Sequence, residues 1–89
     1  ASVSILSPEN DTTTSAPISI RARLSATNDS LSKVELYFDN RLVGAEDISG
    51  STYVYETSLS VPLNAQDNIT VKTTTQKGMT ASDSVTIHH

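Results

Sequence analysis

Residues 18–25 read Ile18-Ser19-Ile20-Arg21-Ala22-Arg23-Leu24-Ser25, four apolar side chains alternating with four polar ones. A period of two puts the apolar set on one face of an extended strand and the polar set on the other. The same alternation recurs further along the chain, with Val34, Leu36 and Phe38 set between Lys33, Glu35, Tyr37 and Asp39. Ile69, Val71 and Thr73 repeat it against Thr70, Lys72 and Thr74. Weaker runs lie at 2–6 around Val3 and Ile5, at 42–46, at 53–59 with Tyr53, Tyr55, Thr57 and Leu59 on one parity, and at 80–87 ending in Val85 and Ile87. About seven strands are expected. Turn chemistry separates them: Ser7-Pro8-Glu9-Asn10-Asp11, Asn28-Asp29, Asp39-Asn40, Ser49-Gly50-Ser51, Val61-Pro62-Leu63-Asn64 and Gln76-Lys77-Gly78. Asp39-Asn40 is a tight hairpin signal, because Asn tolerates a left-handed backbone. No i, i+3, i+4, i+7 apolar pattern lasts three turns, so no helix of any length is expected. Short, half-buried antiparallel strands with polar turns predict an all-β, two-sheet sandwich. Phe38, Leu36, Val34, Ile20, Leu24, Ile69 and Val71 hold the inward parity of the clearest strands and form its expected core.

Composition agrees. The 89 residues fit one domain. Ser and Thr together supply 26 positions, and branched Thr suits a pleated, half-buried surface. Apolar residues are 36%, with four aromatics (Tyr37, Phe38, Tyr53, Tyr55) and no Trp, so the core is thin and mostly aliphatic. A net charge of −4 with six scattered Lys and Arg argues against nucleic acid or an anionic membrane as partner. The absence of Cys excludes disulfides, thiol catalysis and cysteine-based zinc sites. No apolar run approaches the roughly 18 residues of a membrane span. The chain starts at Ala1 without Met and ends in His88-His89, which reads as an excised fragment: a domain over 1–87 followed by a residual tag at 88–89.

The stretch Ser32-Lys33-Val34-Glu35-Leu36-Tyr37-Phe38-Asp39-Asn40-Arg41-Leu42-Val43-Gly44 resembles the bacterial and archaeal immunoglobulin-like repeat domains found in tandem in secreted enzymes and surface proteins. In that family a strand of the type kVEfYvDG turns into xLVG. The opening Val3-Ser4-Ile5-Leu6-Ser7-Pro8, the segment Ser51 to Tyr55, and Ile69-Thr70-Val71-Lys72-Thr73-Thr74 are similar to further pieces of the pattern, in the same order. Asn40 replaces the usual turn Gly. Thr57 stands where many members place Trp, a gap that Tyr55 or Leu59 would partly fill, and Thr75 and Met79 stand where the last hairpin often has Asp and Asn. The resemblance implies an immunoglobulin-like sandwich used extracellularly as spacer, stalk or adhesion unit. It implies no catalysis.

The candidate sites are few. Nucleophilic catalysis needs Ser, Cys or Lys beside a base, and the only histidines are the terminal pair. No triad assembles, and no catalytic or cofactor-binding residue is assigned. Paired carboxylates for glycoside chemistry need a concave site with acids about 5–10 Å apart, for which so small a sandwich offers little room. Tyr37 is the only aromatic that parity turns outward, between Lys33, Glu35, Thr70 and Lys72. It is the candidate sugar platform, or else a cross-strand contact. Arg21 and Arg23 share one face and read either as an anion site or as partners for a carboxylate such as Glu56. Three sequons occur, at Asn10, Asn28 and Asn68, where composition alone gives about one or two, so they are no evidence of glycosylation; the first two lie in expected loops. EF-hand and DxD spacings are absent, so no metal ligand is assigned. Counting strand directions gathers the loops 7–17, 39–41 and 60–68 at the end where the C-terminus leaves. Glu9, Asn10, Asp11, Asp39, Asn40, Asp67 and Asn68 meet there, either as turn residues or as oxygen ligands for a calcium ion bridging to a next module.

The sequence therefore points to a non-catalytic structural, spacer or adhesion module of a larger secreted or cell-surface protein. The alternative is an accessory carbohydrate-binding module of an extracellular enzyme. Its expected partners are neighbouring modules of the same chain, then a cell-surface protein or glycan. Nucleic acid, membrane insertion and cofactors are not expected, and the isolated domain is expected to be a monomer.

Overall fold

In the computed structural model, which describes all of residues 1–89, each alternating run is a strand. The elements are β1 (Ser2–Ser7), β2 (Thr12–Thr13), β3 (Ile18–Ser25), β4 (Leu31–Phe38), β5 (Arg41–Asp47), β6 (Thr52–Leu59), β7 (Gln66–Thr75) and β8 (Thr80–His88). One sheet has the order β1-β3-β6 and the other β2-β8-β7-β4-β5. In β3 burial switches at every residue, Ile18, Ile20, Ala22 and Leu24 being inside and Ser19, Arg21 and Arg23 outside. All seven residues expected in the core are buried. Leu31, Tyr55, Leu59, Val85 and Ile87 join them, so Tyr55 and Leu59 occupy the region left without a Trp.

The structure differs from the sequence expectation at strand ends. An eighth, two-residue strand, β2, pairs in parallel with β8 through Thr12↔Ile87 and Thr13↔His88, too short to leave a periodic trace. β4 starts at Leu31, and β7 starts at Gln66, so Asp67 and Asn68 belong to a strand and not to the 60–68 loop. Asp67 is 2% exposed because it continues the inward stripe of Ile69, Val71, Thr73 and Thr75. β8 runs one residue past the expected boundary at 87, where the His88 carbonyl accepts from Thr14 N–H, and His89 N–H donates to Ala65.

Asp39 and Asn40 both take positive φ, 50° and 65°, closing a two-residue hairpin between Phe38 and Arg41. Beyond it, Tyr37 faces Leu42 while Leu36 faces Gly44, so Val43 is an extra residue that bulges the β5 edge. The last hairpin is tied by Thr75, whose Oγ1 accepts from Met79 N–H at 3.1 Å, so Thr75 does the work of the side chains the family usually places there. β1 begins beside Ser25 at one end of the molecule and β8 finishes beside Gln66 at the other. The long axis, 40 Å against 19 and 17 Å, follows the strands.

Candidate functional site

The outer face of the larger sheet holds Tyr37. Its register partners are Leu42 on β5 and Thr70 on β7, and the ring is half-buried among them rather than free-standing. The hydroxyl donates to Glu35 Oε2 at 3.2 Å, and Lys33 Nζ stands 3.9 Å from the other Glu35 oxygen. Burial, then the hydrogen bond and charge of Glu35, hold the phenol above its ordinary pKa. Tyr53 and Tyr55 point to the opposite side of their own sheet, inward, Tyr53 donating to Glu46 Oε1 at 3.1 Å and Tyr55 buried over Gly44. Tyr37 is the only aromatic on an outer face, with its polar atom engaged by a neighbour.

Arg21 and Glu56 are direct register partners, with Nε 3.2 Å from Oε1 and both side chains more than half exposed. Such a pair contributes tenths of a kcal/mol. Arg23 stands opposite Val54 and Ser4 and makes no ion pair.

The carboxylate and amide residues of the C-terminal end come together as strand counting expects. Asn10 Oδ1 accepts from Thr86 N–H, Asn68 Oδ1 from Thr86 Oγ1, and Asp39 Oδ1 from Asn68 N–H at 2.8 Å. Asp67 accepts both the backbone N–H and the side-chain amide of Asn64, each at 2.8 Å. The Asp39 and Asp67 carboxyls face one another within reach of a shared proton. That hydrogen bond, then burial, raises Asp39 above its ordinary pKa. Burial alone would raise Asp67 as well, but the bonds from Asp39 and Asn64 hold it below. These oxygens are occupied by the protein's own donors, and no three His, Asp or Glu side chains converge as metal ligands. Of the sequons, Asn28 is exposed in a loop at φ 55°, while Asn10 and Asn68 use their amides to tie β8.

Beside this end a cavity of about 250 Å³ opens between the β4–β5 hairpin and the loop after β6, lined by Phe38, Val43, Val61 and Pro62 with Asp39, Arg41 and Asn64. No sequence pattern marks it, because its walls come from two segments far apart in the chain, 38–43 and 61–64. Asp83 was also not singled out, although it interrupts the inward parity of Ala81, Val85 and Ile87 and could have been recognised by that.

Among solved structures the chain is similar to the fibronectin(III)-like modules of Clostridium thermocellum CbhA, at 18% identity and TM-score 0.69, covering 97% of this chain and 93% of that one. It is also similar to an engineered protein, at 24% identity and TM-score 0.62, and to a Cellulomonas fimi endo-β-1,4-mannanase double mutant, at 22% and 0.58. Those matches cover 97% and 96% of this chain but only 19% and 17% of the others. At such identities the likeness concerns the fold. No curated protein matches. The family model described as Bacterial Ig domain matches residues 2–87, and with a two-sheet sandwich over the same span the chain belongs to that family.

Proposed function

We propose that this domain is a non-catalytic spacer or adhesion module of a larger secreted or cell-surface protein, linked end to end to neighbouring modules. The observation that carries the reading is the placement of the two ends: β1 enters at one end of the 40 Å axis and β8 leaves at the other, so each module adds its full length to an array. The fold is that of fibronectin(III)-like modules, and the mannanase match shows the same fold within a longer enzyme chain. Asp39 and Asp67 at the C-terminal end are tied to the protein's own amides, and His88 lies beside exposed Asp11.

A glycan array on the parent domain and on Tyr37→Ser tests this. No saccharide binding is expected from either. Binding by the parent that is lost in Tyr37→Ser would replace the spacer reading with that of an accessory carbohydrate-binding module.

A further inference from the structure

Two features at opposite ends of the rod have no role within the module. At the end where β8 finishes, Phe38, Val43, Val61 and Pro62 line the 250 Å³ cavity, with Asp39 and Arg41 at its rim. Arg41 makes no ion pair. At the other end the β7–β8 turn carries Met79, 60% accessible, the most exposed large apolar side chain of the molecule. Its backbone is fixed on both sides, N–H donating to Thr75 Oγ1 at 3.1 Å and carbonyl accepting from Thr75 N–H at 2.9 Å. The thioether therefore projects from a set turn and not from a loose loop. Lys77, in the same turn, donates one ammonium proton to the Asn28 carbonyl at 2.7 Å and keeps two for other acceptors.

We infer that the cavity is a socket for Met79 of another copy, so that copies dock head to tail. An unbranched, polarisable thioether suits an irregular apolar gap walled by a Phe ring and aliphatic carbons. The charges match. Lys77 approaches an end whose exposed acids are Glu9, Asp11 and Asp39. The covalent order also matches, because the chain leaves at the socket end and enters at the Met79 end, so consecutive copies present socket to knob. Such a contact is heterologous and propagates without closing.

The contact area sets its strength. An end face of 19 by 17 Å cannot supply the roughly 800 Å² per partner that stable complexes bury. Free copies therefore stay monomeric at ordinary concentrations, and docking becomes populated when a short linker raises the effective concentration to about millimolar. Only the application to an array rests on the spacer reading; the docking itself is measurable on the free chain.

The test is an NMR dilution series of the isolated domain from about 2 mM to about 0.05 mM, bracketing the tethered regime. The Met79, Val43 and Val61 methyl resonances are expected to shift together with concentration, to stop shifting in Met79→Ser, and to shift less in Lys77→Glu. Invariant methyl resonances, shifts confined to another surface such as the β6 edge, or shifts unchanged in Met79→Ser would each overturn the proposal. Such a result leaves the spacer reading standing, since flexibly joined modules also span distance; that reading falls to the glycan array instead.

Discussion

The backbone N–H of Ile5 donates to the Asp83 carboxylate at 2.8 Å, across the seam where the smaller sheet meets the larger. Ile5 lies at a register shift in β1, a strand whose only sheet partner is β3, so its outward N–H has no backbone acceptor. Removing the carboxylate leaves a half-buried donor unmet, at about 1–3 kcal/mol. Asp83→Ala should lose that much in urea melts, whereas Asp83→Asn, which keeps a side-chain carbonyl, should lose much less. Equal losses would mean that the charge and not the acceptor is what β1 requires.

Phe38 closes the core at the C-terminal end, 8% exposed beside the cavity. Phe38→Ala should cost about 3–5 kcal/mol, comparable to the whole stability of a small domain without disulfides. A largely unfolded circular dichroism spectrum at 25 °C is the expected result. A loss under about 1 kcal/mol would show that the neighbouring loop closes over the site.

The carboxyl pair makes stability depend on acidity with a definite sign. Asp39 has a raised pKa in the folded state, so its contribution is complete below its ordinary value and is lost as pH rises through the folded one. Asp67 is lowered, so its contribution is present above the ordinary value and is lost as pH falls through the folded one. The pair ties this end best in the acidic window between, with one proton shared. Above it, two carboxylates repel. Asp39→Asn supplies a permanent donor to Asp67 and keeps the oxygen that accepts from Asn68. Its Tm should exceed the parent's at pH 7 but not at pH 3, where Asp39 is already protonated. An equal gain at both values would assign the effect to the positive φ of the turn.

Calcium should not change the domain. Asp39, Asp67, Asn10 and Asn68 each hold a protein donor that a cation would have to displace. Differential scanning fluorimetry with millimolar calcium and with EDTA should give the same Tm. A calcium-dependent rise, here or in a two-module protein, would restore the bridging alternative.

Parity made most of this fold legible. Ile18 to Ser25 needed only a count of alternate residues to give strand limits and faces, and Val34, Leu36 and Phe38 gave the core side of β4. The Arg21–Glu56 pair and the meeting of Asp39 with Asn68 followed from register and strand direction. Parity failed where polar side chains occupy inward positions. Asp67 and Asp83 look like loop or surface acids in sequence, because no periodic pattern shows the donors that let a carboxylate turn inward: Asn64, three residues before Asp67, and Ile5, far from Asp83 along the chain. β2 was invisible because two residues have no period. The cavity and the exposure of Met79 depend on how segments far apart in sequence pack, which no local pattern encodes.

The path of the two end strands has a mechanical consequence. β1 and β8 run in the same direction side by side, joined by the Ile5–Asp83 bond, and β8 is held further by β2 in parallel. Tension between a preceding and a following segment pulls β1 back towards its start and β8 towards its finish, along the strands. The Ile5–Asp83 bond and the ties from the β2 segment to β8 are then loaded in shear together, and not peeled one at a time. Resistance to force is governed by the unfolding barrier rather than by equilibrium stability. In a pulling experiment Asp83→Ala should therefore lower the rupture force out of proportion to its effect on the melt.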